Sequence, residues 1–315
     1  MIAEVALAVA GLVLLTFAAD HLVLGASRIA TRLRIRPVVV GVVVIGLGTS
    51  APEFLVSGVA AARGDTGIAL GNIVGSNILN LTLILGVAGA IARFAVASTV
   101  VRREVRVAVA AVALFGVLAW TGLTVWAGAL LAVAGVVAVS LLLRWASQGR
   151  NSELAEEVTD FTDGVRPRSW WEPARALLGL AGVLAGAQLL VANASAIAER
   201  FGVPELIIGF TLVALGTSLP ELVTTVQAMR RRESDLVVGN LFGSNLFNSL
   251  AGGAVIAFAS PAGAASRLDV TLVLAMILIA ALAWALLRRG LMLTRSEGVV
   301  LLAAYLLTMP LLVAG

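Results

Sequence analysis

The chain contains 315 residues, of which 60% are hydrophobic and only 13% are charged. A soluble domain carries about 25% charged residues, so this composition excludes a soluble protein and predicts an all-α polytopic membrane protein. The absence of cysteine and the presence of a single histidine exclude disulfides, thiolate metal sites and histidine-rich metal clusters.

Ten apolar runs are long enough to cross a bilayer, which takes about 20 residues of helix for each crossing. Five runs precede the polar stretch 144–172 and five follow it, so each half crosses an odd number of times and the second half enters from the opposite side. The sequence therefore predicts ten transmembrane helices arranged as two inverted five-helix repeats. The predicted spans are about 3–25, 37–61, 67–91, 104–120, 123–143, 173–197, 203–228, 235–259, 268–287 and 297–314.

The polar stretch divides the chain into a first half, residues 1–143, and a second half, residues 173–315. Within this stretch, residues 153–163 carry five acidic side chains without the spacing of an EF-hand. We therefore interpret this stretch as a solvated cytoplasmic linker rather than a calcium-sensing loop.

The basic residues indicate the orientation of the spans. All 22 are arginines that lie between or at the ends of the apolar runs. With the N-terminus outside, nineteen fall on the inner side and only Arg63, Arg200 and Arg267 on the outer side. This is a strong positive-inside bias. This bias explains the net positive charge without nucleic-acid binding. It also predicts that both termini lie outside.

A duplicated motif interrupts the second and seventh predicted spans. Residues 46–53 read GLGTSAPE and residues 214–221 read ALGTSLPE, 168 positions later. Each copy places a carboxylate, hydroxyls, glycine and proline in an apolar run. A charge at mid-membrane costs roughly 2.5–3.5 kcal/mol, and proline breaks the helical hydrogen-bond ladder. Two matched broken helices, one in each half, indicate the binding site of a transporter.

A second motif follows with the same offset, in the third and eighth predicted spans. Residues 71–80 read GNIVGSNILN and residues 239–248 read GNLFGSNLFN. In each copy a serine and an asparagine four residues apart share one helix face: Ser76 with Asn80, and Ser244 with Asn248. The other asparagines lie on other faces, where we expect hydrogen bonds to broken backbone: Asn72, Asn77, Asn240 and Asn245.

These motifs supply oxygen ligands only. Thr49 and Glu53 are four residues apart on one face, and Pro52 frees nearby carbonyl groups for ligation. Hydroxyl, carbonyl and carboxylate oxygens together suit hard cations such as Ca²⁺ and Na⁺. A single buried glutamate could instead stabilise a kink, and single hydroxyls could satisfy backbone groups. A matched pair, Glu53 and Glu221, in a duplicated frame favours cation binding.

At these residues the chain resembles the cation/calcium antiporter superfamily, and most closely the prokaryotic sodium/calcium exchangers. The family hallmarks are two inverted repeats with a Gly-Thr-Ser-x-Pro-Glu segment and a Gly-Ser-Asn-x-x-Asn/Asp segment. The resemblance implies a prokaryotic cell-membrane antiporter for Ca²⁺ and Na⁺, with spans one and six forming a sliding gate. It implies no enzymatic activity, no prosthetic group and no obligate protein partner. The implied metal ligands are Glu53, Glu221, Thr49, Thr217, Ser50, Ser218, Ser76, Ser244, Asn80, Asn248, Gly46 and Ala214.

One position departs from the family pattern. Sodium/calcium exchangers commonly carry Asp where this chain has Asn248. The two remaining carboxylates match one Ca²⁺, two Na⁺ or two H⁺ by charge, so a Ca²⁺/H⁺ antiporter stays open as an alternative. A passive cation channel is a remote alternative that the inverted broken repeats disfavour. The absence of HExxH and GxSxG motifs disfavours a membrane enzyme.

Overall fold

The computed structural model describes residues 2–33, 48, 50–148, 171–231, 234–261 and 267–314, and these residues are almost entirely helical. One short antiparallel pairing joins β1 (Phe94–Ala95) to β2 (Met292–Leu293). The helices, in chain order, are α1 (Ile2–Arg32), α2 (Ala51–Arg63), α3 (Thr66–Ile91), α4 (Ser98–Thr121), α5 (Val125–Gln148), α6 (Trp171–Phe201), α7 (Glu205–Thr217), α8 (Leu219–Arg231), α9 (Ser234–Ala259), α10 (Val270–Gly290) and α11 (Arg295–Ala314).

Seven of the described helices are long and apolar enough to cross a membrane, or eight if the bent pair α7 and α8 forms one span. This confirms the prediction of a helical, multi-pass membrane protein. The count of ten spans stays a prediction. The predicted second span, 37–61, lies partly outside the described residues, and most of the predicted linker, 144–172, lies outside them as well.

The centre of the bundle is formed by α3 and α9. In their most apolar stretches 83% and 78% of the residues are buried, against 28% in α1 and 22% in α5. A helix that is apolar on all sides is stable only where neighbours cover it on all sides. The second motif lies on these two helices, so the fold places its polar side chains at the centre of the protein.

The helices α1 and α6 are each 31 residues long and pack against each other along their length. Gly11 of α1 approaches Gly186 and Leu190 of α6, whereas Gly25 approaches Ala176. The partner number falls as the α1 number rises, so the two helices run antiparallel. Inverted halves require this arrangement of equivalent helices. The glycines allow backbone contact, because a Cβ on Gly11 would lie 2.7 Å from the Leu190 nitrogen.

Ion pairs join α1 to α6 at both ends. At one end Arg28 Nη1 lies 3.1 Å from Glu172 Oε1, and both side chains are buried. Arg175 Nη1 lies 3.5 Å from the other Glu172 oxygen. At the opposite end Arg200 Nη1 lies 3.1 Å from Glu4 Oε1 in a more exposed setting. The two helices are therefore fastened to each other at both membrane faces.

The helix α1 also contacts both interrupted spans. A Cβ on Gly48 would lie 2.5 Å from the Cγ2 atom of Val23. A Cβ on Gly216 would lie 2.8 Å from the Cδ1 atom of Leu12. These two glycines are equivalent in the duplication and precede the two helix breaks. Leu12 and Val23 are eleven residues apart, which is roughly 16 Å along a helix axis.

Replacing Gly71 with alanine should destabilise the protein strongly. A Cβ at Gly71 of α3 would lie 2.4 Å from the carbonyl oxygen of Leu206 and 2.8 Å from the nitrogen of Phe210. These are backbone atoms of α7, which cannot move aside as a side chain can. Overpacking typically costs about 1–3 kcal/mol, and occasionally more. Thermal unfolding in detergent should show a clearly lower Tm for G71A than for the wild type.

The control for this prediction is Gly135→Ala in α5, where a Cβ would make an ordinary contact of 3.6 Å with Leu250. We expect a Tm close to that of the wild type for G135A. Equal melting of the two alanine variants would mean that α3 and α7 are not packed through their backbones.

Candidate functional site

The serine of the first motif has the same backbone conformation in both copies. Ser50 has φ −88° and ψ 4°, and Ser218 has φ −87° and ψ 8°. A new helix begins directly after each serine, at Ala51 and Leu219. The proline that follows lies in the first turn, where its missing N–H removes no helical hydrogen bond. Proline therefore lies in the first turn of the helix that follows the serine in each copy, and in the second copy α7 and α8 meet at an angle of 41°.

The second motif ends in a locally widened helix in both halves. A π-helical segment covers Asn80–Ile84 in α3, and another covers Asn248–Gly252 in α9, 168 positions later. A third, Gly209–Val213, precedes the break in α7. Such π segments occur frequently at functional sites. Both site asparagines are the first residues of these segments.

The two glutamates of the first motif are fully buried, and one oxygen of each carboxylate accepts a hydrogen bond. Ser218 Oγ donates a hydrogen bond of 3.3 Å to Glu53 Oε1, and Ser244 Oγ donates one of 3.0 Å to Glu221 Oε1. The second oxygen of each carboxylate, Oε2, has no hydrogen-bond partner in the structure as described. Buried carboxylate oxygens without partners are unfavourable. A cation bound between these oxygens would remove that penalty.

Serine hydroxyls connect the two halves across the centre. Ser50 Oγ donates to Ser244 Oγ at 3.0 Å, and Ser218 Oγ donates to Ser76 Oγ at 3.2 Å. The two bonds are equivalent under the 168-residue offset, and each joins the break of one half to the second motif of the other. The four hydroxyl oxygens therefore lie around the two carboxylates.

The paired asparagines of the second motif are both buried, with different environments. Asn80 Nδ2 donates to Ser244 Oγ at 3.3 Å and to Asn245 Oδ1 at 3.0 Å, while its own oxygen has no partner among the described residues. Both amide atoms of Asn248 are buried without a hydrogen bond in the same described part. Their carboxamide oxygens are available as neutral ligands.

Asn72 is not one of the predicted ligands, but its hydrogen bonds hold residues of the site in place. Its Nδ2 donates bonds of 2.9 Å to the backbone carbonyl of Glu53 and to Ser57 Oγ. Its oxygen accepts a bond of 3.1 Å from Thr217 Oγ1 in the other half. Asn72 therefore bonds a backbone carbonyl in the first turn after the break, whereas Asn77 and Asn240 donate to side chains instead of the expected backbone groups. Ser57 lies outside both motifs, so only its spacing of four residues from Glu53 could have indicated it.

Ten of the twelve predicted ligands lie in the described part of the chain, whereas Gly46 and Thr49 lie outside it. The hydrogen bonds bring together Glu53, Glu221, the four serines and Asn80. The carbonyl of Ala214 accepts bonds from Thr217 Oγ1 at 3.3 Å and from the Ser218 amide at 3.0 Å. In the described ranges, no group of three or more acidic, histidine or cysteine side chains is placed to hold a metal. The role of these residues as ion ligands stays a prediction.

Comparison with known proteins places these features in context. A model of the sodium/calcium exchanger protein family matches residues 3–146 and 171–313. The chain is 38% identical over 307 residues to the putative antiporter CaxA of Alkalimonas amylolytica, covering 94% of each chain. It is 35% identical over 256 residues to the inner membrane protein YrbG of Escherichia coli K12, covering 79% of this chain and 77% of that one.

The solved structures of the sodium-calcium exchanger NCX_Mj share this fold. A form soaked with 2.5 mM Na⁺ and 10 mM Sr²⁺ superimposes with a TM-score of 0.65 at 29% identity, covering 98% of both chains. A form soaked with neither Na⁺ nor Ca²⁺ gives a TM-score of 0.63 at 30% identity, covering 99% of both chains. The similarity extends over the two halves and both interrupted spans.

Proposed function

Because the chain belongs to the sodium/calcium exchanger protein family, we propose that it is a secondary active antiporter that exchanges Ca²⁺ for Na⁺ across a prokaryotic cell membrane. One observation carries this proposal. Glu53 and Glu221 come from equivalent helix breaks, are fully buried, and each keeps one carboxylate oxygen without a hydrogen-bond partner among the described residues. Two such oxygens in a setting of hydroxyls suit a hard cation as the transported substrate.

The site binds one ion species at the expense of the other. The two carboxylates carry two negative charges, which one Ca²⁺ or two Na⁺ neutralise. Ser218 and Ser244 now donate hydrogen bonds to these carboxylates. On binding of a cation, their hydroxyl groups rotate so that the oxygen faces the ion. The remaining proposed ligands are Ser50, Ser76, Asn80, Asn248 and the carbonyl groups of Gly46, Thr49, Ala214 and Thr217.

The two ion fluxes are coupled because a buried charge without a counter-ion has a high free energy. Moving the site without its cations would carry two uncompensated charges through apolar surroundings, which is strongly unfavourable. The gate formed by α1 and α6 therefore slides only when cations occupy the site. The antiparallel packing of these helices supports two inverted five-span halves, residues 1–143 and 173–315, joined by a cytoplasmic linker. The arginine distribution supports placing both termini outside.

The test of the coupling ion is Ca²⁺ uptake into proteoliposomes that contain the purified protein. An outward Na⁺ gradient should drive uptake, and an outward H⁺ gradient of equal size should not. An ionophore that dissipates the Na⁺ gradient should stop the uptake. Failure of both gradients to drive uptake would contradict the assignment of Ca²⁺ as the substrate.

A Ca²⁺/H⁺ antiporter is the second candidate, and one observation favours it. Asn80 and Asn248 are both neutral, so the centre contains two carboxylates and no third acidic group at the Asn248 position. Two protons could replace one Ca²⁺ on Glu53 and Glu221. Uptake that follows the H⁺ gradient and is indifferent to Na⁺ would select this candidate.

A further inference from the structure

The two halves differ in one contact next to the carboxylates. In the first half Asn72 donates directly to the carbonyl of Glu53 and to the hydroxyl of Ser57, at 2.9 Å each. Ser57 is four residues after Glu53. Asn72 is fully buried, and Thr217 of the other half completes its hydrogen bonds. This arrangement fastens α3 to the first turns of α2.

In the second half the equivalent asparagine bonds a hydroxyl one position earlier in the helix. Asn240, the equivalent of Asn72, donates a bond of 2.8 Å to Thr224 Oγ1, three residues after Glu221. Thr224 Oγ1 itself shares its proton between the carbonyls of Pro220 and Glu221, each 3.0 Å away. The Thr224 hydroxyl thus stands between Asn240 and the carbonyl that the symmetric contact would use. The first half has Val56 at the position equivalent to Thr224, and valine has no hydroxyl group with which to form these hydrogen bonds.

The equivalent of Ser57 is left without a partner. Thr225 is 2% exposed, and its hydroxyl has no hydrogen bond in the described part of the structure. A buried hydroxyl without a partner is unfavourable. Since the halves are copies, the contact seen in the first half is available to the second. Asn240 would then meet Thr225 and the Glu221 carbonyl.

The surroundings of α8 fit such a change. Leu219 and Val223 of α8 are 38% and 53% exposed. Their equivalents in α2, Ala51 and Leu55, are buried and half-buried. Asn240 is half-buried, whereas Asn72 is fully buried. The start of α8 and the Asn240 side chain are therefore more exposed than their equivalents in the first half.

We propose that Asn240 is a switch that moves between two adjacent threonines as the transport site changes the side to which it opens. In the present state the Thr224 hydroxyl holds Asn240 away from the Glu221 carbonyl. In the opposite state Asn240 bonds Thr225 and that carbonyl, as Asn72 does in the first half. This inference rests on the proposed alternating-access function, and it assigns a positioning role to Asn240, Thr224 and Thr225.

The test compares Thr224→Val with Thr225→Val, which keep the shape of the side chain and remove one hydroxyl. T224V copies the first half and should favour the opposite state. T225V removes the alternative partner and should favour the present state. Losing one net hydrogen bond changes such an equilibrium about three- to tenfold. Hydrogen–deuterium exchange of α8 should therefore become slower in T224V and not in T225V.

Two controls keep the result specific. Thr308→Val removes a buried hydroxyl of α11 that donates to the carbonyl of Tyr305 in its own helix, and should leave the exchange of α8 unchanged. Asn240→Ala should abolish the difference between T224V and T225V, since both depend on it. Equal exchange of α8 in T224V and T225V, or a difference that survives N240A, would overturn the switch. Exchange needs no transported ion, so slower exchange in T224V but not in T225V, without any Ca²⁺ flux, would support the switch and refute the proposed substrate.

Discussion

Glu53→Gln and Glu221→Gln should each abolish Ca²⁺ transport. Glutamine keeps the size of the side chain but removes one of the two charges that compensate the ion in a fully buried site. Removing one partner of a buried charge pair typically costs about 3–5 kcal/mol. That corresponds to a loss of at least about a hundredfold in affinity. Ca²⁺ flux into proteoliposomes and Ca²⁺ binding by calorimetry should both fall to background.

A matched control shows whether the loss of transport is specific to the two glutamates of the site or follows the removal of any carboxylate. Glu104 of α4 is a half-buried carboxylate outside the site. We expect Glu104→Gln to retain Ca²⁺ flux and Ca²⁺ affinity close to those of the wild type. Wild-type flux in either E53Q or E221Q would refute the assignment of the two glutamates as the ion-binding pair.

Glu172→Gln should cause the largest loss of stability among single charge removals. The variant leaves Arg28, which is buried 3.1 Å from the missing charge, and the nearby Arg175 without a negative partner among the described residues of α1 and α6. Breaking a buried ion pair from one side costs about 3–5 kcal/mol. Thermal unfolding in detergent should show this as a substantially lower Tm.

The opposite end of the same helix pair supplies the control. Arg200→Gln breaks the more exposed pair with Glu4, and such pairs contribute about 0–1 kcal/mol. The double variant Arg28→Gln with Glu172→Gln should recover part of the lost stability, because it leaves fewer uncompensated charges. A Tm for E172Q equal to that of R200Q would mean that the buried pair contributes no more than the exposed one.

The residues of the candidate site could be selected from the sequence because each motif occurs in both halves. Glu53 and Glu221 are charges in apolar runs, and their matching positions made coincidence implausible. The serines of both motifs could be placed beside them because the same offset links all four. The structure brings them into two equivalent hydrogen-bonded groups, Glu53 with Ser218 and Ser76, and Glu221 with Ser244 and Ser50.

Other features depend on packing that no local pattern records. Arg28 could be counted only as a positive charge near the inner face, whereas it pairs with Glu172, 144 positions away, because α1 crosses α6 there. The role of Thr224 could not be predicted either, since it depends on which face of α8 meets α9. A shift of one residue along α8 changes which hydroxyl Asn240 reaches.

The contacts of α1 beside both helix breaks have a mechanical consequence. Val23 packs against Gly48 and Leu12 against Gly216, so both contacts belong to one helix that packs against α6 along its length. A helix displaced along its axis moves all its side chains together and in the same direction. Any axial displacement of α1 would therefore change the packing beside both glycines at once.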